Sequence, residues 1–163
     1  MRNNEVFIAL GTNLGDRSEN LRKAIREIEL NVGVMIKQSS LYETKAWGKT
    51  NQPDFYNQVI LINSNKTPEQ CLYILSGIEQ KMGRKRDEKW GARIIDLDLL
   101  YINAFIIETN KFTLPHPAIA QRRFVLIPLV EIAPDFIHPL LKKNQRQLLT
   151  ECPDILEVKL LNT

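Results

Sequence analysis

Cysteine is scarce in this sequence. Among 163 residues only Cys71 and Cys152 occur, with no CxxC spacing, which excludes a disulfide framework and indicates no cysteine-based zinc site. Both are expected to be reduced thiols, Cys71 as part of a helix core. Long apolar runs are also missing: no stretch approaches the roughly 20 residues that cross a bilayer. The opening Met1-Arg2-Asn3-Asn4-Glu5 has no apolar signal segment. A cytoplasmic location without a membrane partner is therefore expected. Internal repeats, low-complexity tracts and linkers are absent, so residues 1–163 are expected to form one domain, acting as a monomer. Charge of one sign is nearly balanced, with 22 Lys and Arg against 19 Asp and Glu and a net charge of +3. Such an excess suits an anionic ligand but says little by itself. What remains is a globular composition, 44% hydrophobic and 25% charged.

Residues 5–10 read as a short apolar strand running into the turn cluster Gly11-Thr12-Asn13-Leu14-Gly15-Asp16. Asp16 and Glu19 have capping-box spacing, and Leu21, Ile25, Ile28 and Val32 recur at helical intervals until Gly33. A strand over 34–42, a polar loop with Gly48 and Pro53, and a strand over 55–62 follow. Thr67-Pro68-Glu69-Gln70 starts a second helix, with a capping hydroxyl, proline at the first helical position and glutamine at the third. That helix buries Cys71, Ile74, Leu75, Ile78 and Met82 and stops at Gly83, and the last long strand covers 94–102. The order β-α-β-β-α-β predicts an α+β, ferredoxin-like antiparallel sheet with both helices on one face and the other face free for ligand. From residue 103 onward, strand-like pieces at 105–108 and 112–114 and most of the prolines predict an extension that wraps the core.

Arg84, Lys85, Arg86, Lys89 and Arg93 crowd one short segment. Taken alone, such a run is a solvated loop. The segment beside it, Trp90-Gly91-Ala92-Arg93-Ile94-Ile95-Asp96-Leu97-Asp98-Leu99-Leu100, is more informative. Residues two apart on a strand share a face, so Asp96 and Asp98 point the same way with Cα atoms roughly 6.6 Å apart. Leu97, Leu99 and Tyr101 are expected on the opposite face, against the helices. Parallel carboxylates repel unless cations neutralise them, and hard oxygen donors in this spacing suit Mg²⁺, commonly as a pair serving phosphoryl transfer. The alternative is neutralisation by Arg93 or other basic groups.

This segment resembles the signature of the hydroxymethyldihydropterin pyrophosphokinases, W-G-x-R-x-x-D-[aliphatic]-D followed by an aliphatic pair. The resemblance runs along nearly the whole chain. It includes Phe7-Ile8-Ala9-Leu10-Gly11-Thr12-Asn13-Leu14-Gly15, Tyr42-Glu43-Thr44 and Gln52-Pro53-Asp54-Phe55-Tyr56-Asn57. Leu114-Pro115-His116-Pro117, Arg122 through Leu129, and Glu131-Ile132-Ala133-Pro134 continue it. It implies a transferase of folate biosynthesis, an ATP-dependent pyrophosphokinase in which the pterin hydroxymethyl oxygen attacks the β-phosphorus of ATP and AMP leaves without a covalent enzyme intermediate. The cofactors implied are two Mg²⁺ ions on Asp96 and Asp98, with ATP as co-substrate and no nucleic-acid partner.

Carried over residue by residue, the resemblance gives Arg84, Arg86 and Arg93 catalytic roles beside the aspartates. Leu72, Glu79, Arg86, Trp90, Arg93, Lys111, Thr113, His116 and Arg122 are implied at the nucleotide, and His138 is expected to be structural. The pterin falls to Gly11, Thr44, Lys45, Trp47, Phe55, Asn57, Trp90, Asp96 and Phe124, with the two Phe rings stacking and Asn57 supplying donor and acceptor to the ring edge. Lys45 stands where the family often has proline, Pro117 follows the histidine where an aromatic can occur, and the stretch between Gly83 and Trp90 is about one residue short. That charged stretch is expected to act as a lid, ordering when both substrates bind. Two rival readings are an RNA-binding module, which would need aromatic-rich central strands, and a nucleotide cyclase or polymerase-palm fragment, which also sets two aspartates on such a sheet.

Overall fold

The structure, a computed structural model, describes residues 3–46, 51–85 and 91–162. In chain order it contains β1 (Asn4–Thr12), α1 (Arg17–Asn31), β2 (Val34–Gln38), β3 (Tyr42–Thr44), β4 (Phe55–Ser64), α2 (Pro68–Lys81) and β5 (Asp96–Ile102). A small hairpin follows, β6 (Ile107–Glu108) with β7 (Thr113–Leu114), then α3 (Arg123–Ile132), α4 (Gln145–Glu151) and β8 (Val158–Leu160). The main sheet runs β5-β1-β4-β3-β8, with β2 beside β4 on the same edge as β3. Its pairings are antiparallel. This is the ferredoxin-like arrangement expected from the order of elements.

The two major helices start where their side chains satisfy the free N–H groups. The Asp16 carboxylate accepts the Glu19 N–H at 3.0 Å, and Thr67 and Gln70 form a reciprocal capping box with Pro68 in the first turn. Both helices pack on one face of the sheet. Ala24 and Ile28 of α1 and Cys71 and Leu75 of α2 bury against Ile8, Ile60, Ile62, Leu97 and Leu99. Each such aliphatic side chain contributes about 1.5–3 kcal/mol through its removal from water.

Three expectations need correction. The strand over 34–42 is two strands, because residues 39–41 leave the ladder. There the Val59 N–H donates to Ser39 Oγ at 3.0 Å and the Glu131 carboxylate accepts the Ser40 N–H at 2.9 Å and the Tyr42 hydroxyl at 2.7 Å. Tyr101 does not share a face with Leu97 and Leu99. The pairing of β5 with β1 skips Leu100, and this bulge turns both Leu100 and Tyr101 toward a second core. That core holds Phe7, Val59 and Leu61 of the sheet beneath Leu126 and Leu129 of α3 and Leu148 of α4. So the extension that wraps the molecule is partly helical, and it covers half of the sheet face expected to be free. The open half is where β1 ends and β4 and β5 begin.

Candidate active site

On the open half of the sheet, β1 is the middle strand. Gly11 pairs with Asn57 of β4 on one side and Asp96 of β5 on the other, and Ala9 pairs with Val59 and Asp98. A floor of small residues therefore lies between a row of carboxylates and a buried amide. The rows stand two strand spacings apart, about 9.6 Å. Gly11 keeps the approach close: a Cβ there would lie 3.2 Å from Asn57 Oδ1 and press on that side chain by a few tenths of an ångström. Asn57 is buried and its amide donates to Thr44 Oγ1 at 2.6 Å.

Asp96 is held by two arginines. Arg84 donates to Oδ1 at 2.6 Å and Arg93 donates to Oδ2 at 3.0 Å. Arg84 also pairs with Glu79, whose Oε2 accepts the Leu97 N–H at 3.3 Å, so a buried carboxylate on α2 ties the arginine to the start of β5. Arg122 lies 3.8 Å from Asp98 Oδ2. Neutralisation by basic groups, the alternative raised by the sequence, is thus what the side chains display at Asp96. Burial raises the Asp98 carboxyl above the usual carboxylate range, the Asp96 charge adds to this, and the arginines oppose it. The exposed 32% of the Asp98 side chain faces the concave junction of the two pockets.

Arg84 is aimed by the end of α2. Gly83 takes φ +89°, which lets Gly83 N–H reach Gln80 O and Arg84 N–H reach Glu79 O, each at 3.0 Å. These are the paired bonds of a glycine-terminated helix end. Gly83→Ala is expected to cost about 1 kcal/mol or more, since a Cβ is strained at that φ. A lowered melting temperature checks the cost, and reduced turnover in the folded variant checks that Arg84 has been displaced.

Two pockets open from these residues. The first is lined by Gly11, Thr44, Lys45, Phe55, Asn57, Arg93, Arg122 and Phe124 of the expected residues, with Ala9, Gln58 and Val125 in addition. The second is lined by Leu72, Glu79, Arg84, Lys111, Thr113 and His116, with Ser76 and Phe112 in addition. Asp96 and Asp98 line both, and among the described residues no other does. Arg93 and Arg122, implied at the nucleotide, stand at the aspartate end of the first pocket, because Arg93 folds back over Asp96 and Arg122 leads into α3 over the same face. Trp47, Arg86 and Trp90, and with them most of the expected lid, lie outside the described residues.

His116 accepts the Ala118 N–H on Nδ1 at 3.1 Å, which places the proton of the neutral ring on Nε2 as a donor. Burial lowers its pKa to about 4, the Arg122 charge acting the same way and Asp96 opposing. The ring is therefore expected to stay neutral in an NMR titration from pH 8 down to near 4. Because the unfolded histidine protonates near 6.5, this group's contribution to stability is complete above that pH. It is lost as pH falls from about 6.5 toward 4. His138, expected to be structural, is buried and accepts the Leu140 and Leu141 N–H groups on Nδ1 at 3.2 and 3.1 Å.

The site residues missed by sequence reasoning include Ala9, Gln58, Val125, Ser76 and Phe112. Ala9 carried a usable signal: it lies two residues before Gly11 on the same strand face.

The family model for 7,8-dihydro-6-hydroxymethylpterin-pyrophosphokinase matches residues 7–134. Two similar proteins are both named 2-amino-4-hydroxy-6-hydroxymethyldihydropteridine pyrophosphokinase. The one from Aquifex aeolicus is 38% identical over 146 residues, 90% of this chain and 91% of its own length. The one from Synechocystis is 41% identical over 147 residues, 90% of this chain and 75% of its own length. A crystal structure of an HPPK-DHPS in complex with substrates shares the fold, with a TM-score of 0.72 at 17% identity. It matches 92% of this chain, which spans 43% of that longer one.

Proposed function

Because the chain belongs to the 7,8-dihydro-6-hydroxymethylpterin-pyrophosphokinase family and is an ATP-dependent diphosphotransferase of folate biosynthesis, we propose that its two pockets divide the substrates: pterin in the first, ATP in the second. The observation that carries this division is that Asp96 and Asp98 are, among the described residues, the ones that line both. Groups bound on either side meet there, as transfer of a pyrophosphoryl group from ATP to an alcohol requires.

In the first pocket, Phe55 and Phe124 supply flat apolar surface for the pterin. Asn57, with one amide hydrogen committed to Thr44, offers its remaining donor and its Oδ1 to the polar ring edge. The hydroxymethyl group then points along the Gly11 and Ala9 floor to the aspartates. In the second pocket, Leu72 and Phe112 supply apolar surface for adenine, and Lys111, His116 and Arg84 supply donors to ribose and phosphates. The bond formed is pterin oxygen to β-phosphorus. The bonds broken are the hydroxyl O–H, whose proton passes to Asp98 or to solvent, and the bond from that phosphorus to the α-phosphate bridging oxygen, with which AMP departs. Arg84, Arg93 and Arg122 bring positive charge to the junction, where guanidinium forks match phosphate oxygens.

Two carboxylates suit Mg²⁺, which takes one or two from protein and completes its octahedron with water and substrate phosphates. Among the described residues no group of three or more His, Cys, Asp or Glu could hold a metal. Asp96 and Asp98 would hold the ions, two in number, and Mg²⁺ when bound neutralises phosphate charge and polarises the attacking oxygen. The reading includes a monomeric, cytoplasmic enzyme with residues 1–163 as one domain. No helix among the described residues is long and apolar enough to cross a membrane. Incubation with Mg-ATP and 6-hydroxymethyl-7,8-dihydropterin should release AMP in proportion to pterin diphosphate. ADP, cyclic nucleotide or polymer would overturn the reading.

A further inference from the structure

Asn13 lines neither pocket, yet it is 2% exposed and every polar atom of its side chain is engaged. Its Oδ1 accepts the Arg93 N–H at 2.8 Å, and its own N–H donates to the Arg93 carbonyl at 3.1 Å. Its Nδ2 donates to Gln52 Oε1 and to the Pro53 carbonyl, both at 2.9 Å. The amide orientation follows from these partners, because an N–H needs the oxygen and two oxygens need the NH₂. We propose that Asn13 is a positioning residue for the transfer, fixing the turn that presents Arg93 to Asp96 against the turn that leads into Phe55 of the pterin pocket. The inference rests on the placement of pterin proposed above.

The anchor is rigid on its own side. Asn20 of α1 donates to the Leu14 carbonyl at 2.8 Å and to Thr12 Oγ1 at 3.3 Å, so the turn carrying Asn13 is fastened to both β1 and α1. From that base one short side chain reaches two segments distant in sequence, one at each end of the pterin pocket. The chemistry selects asparagine: aspartate has no donors for Gln52 and Pro53, serine is too short for two directions, and alanine reaches neither.

The two arms separate experimentally. Asn13→Asp keeps the acceptor for Arg93 and sets a carboxylate against two oxygens. It should raise the pterin Kd about tenfold while kcat stays within threefold and the Kd of a nonhydrolysable ATP analogue stays within twofold. Asn13→Ala frees both turns and should add a kcat loss of about tenfold, with ATP-analogue affinity still within threefold, because α2 and β7 are untouched. The Arg93 amide should exchange slowly in the wild-type protein and in Asn13→Asp, and at least tenfold faster in Asn13→Ala. Wild-type kcat and pterin Kd in Asn13→Ala, or equal losses for the two ligands in either variant, overturn the inference. If neither variant folds, the wild-type decides: an Arg93 amide exchanging at an open-loop rate overturns it, and slow exchange supports it. The wild-type AMP assay judges the underlying reading separately.

Discussion

Asp98→Asn is expected to lower turnover at least about 100-fold, equivalent to roughly 2.7 kcal/mol of lost transition-state stabilisation, with little change in melting temperature. The substitution keeps the shape and removes the charge of one of the two described residues common to both pockets. Its structural cost is small, because among the described residues Asp98 has one ion pair at 3.8 Å while Asp96 holds Arg84 at 2.6 Å and Arg93 at 3.0 Å. Asp96→Ala is expected to cost at least as much turnover, but it also takes a buried counter-charge from two arginines, of which Arg84 keeps Glu79. Asp98→Asn is therefore the cleaner test of the metal assignment. Steady-state AMP release and a thermal melt on the same sample decide it, and near-normal Mg-dependent turnover in the folded variant would sink the two-carboxylate site.

Asn57→Ala is expected to weaken pterin binding by about 50-fold or more and to leave ATP-analogue affinity within about twofold. A pocket built to hydrogen-bond a ring edge penalises the loss of its partner, since the ligand's polar groups are then buried unpaired. The asymmetry follows from position. Asn57 is buried in β4 with its amide on Thr44 Oγ1, across the Gly11 floor from the aspartates, and among the described residues those aspartates alone are shared by the two pockets. Calorimetry with each ligand in turn measures it. Equal losses for both ligands would mark a folding defect and remove Asn57 from the pterin site.

The elements legible in the sequence were those with local signals of their own. The caps at Asp16 and Thr67 and the apolar spacing behind them placed α1 and α2, and the alternation around Asp96 and Asp98 set both carboxylates toward the ligand face. α3 was hidden because it starts at Arg123 without a side-chain cap and carries Pro128 inside, so neither start signal nor uninterrupted period was present. α4 did announce itself, through Asn144 and Gln147 at capping-box spacing, but a seven-residue helix offers too few turns for periodicity to reinforce the cap. The bulge at Leu100 had no local mark at all, and alternation carried through it assigned Tyr101 to the wrong core. The partition of the expected ligand residues into two pockets depends on how β4, α2 and β7 lie around β5, a long-range fact that no window of sequence contains.

The glycine and alanine floor of β1 also works as a ruler. A ring system that grips the Asn57 amide must reach across an intervening strand before it can offer an oxygen at the carboxylates, and a single six-membered ring with a one-carbon arm is too short to do both. On the proposed placement of pterin, such monocyclic mimics are expected to fill the amide end and exclude the pterin without presenting a nucleophile to the phosphate. Length along the floor, rather than tightness at either end, is then expected to separate what this enzyme modifies from what it only holds.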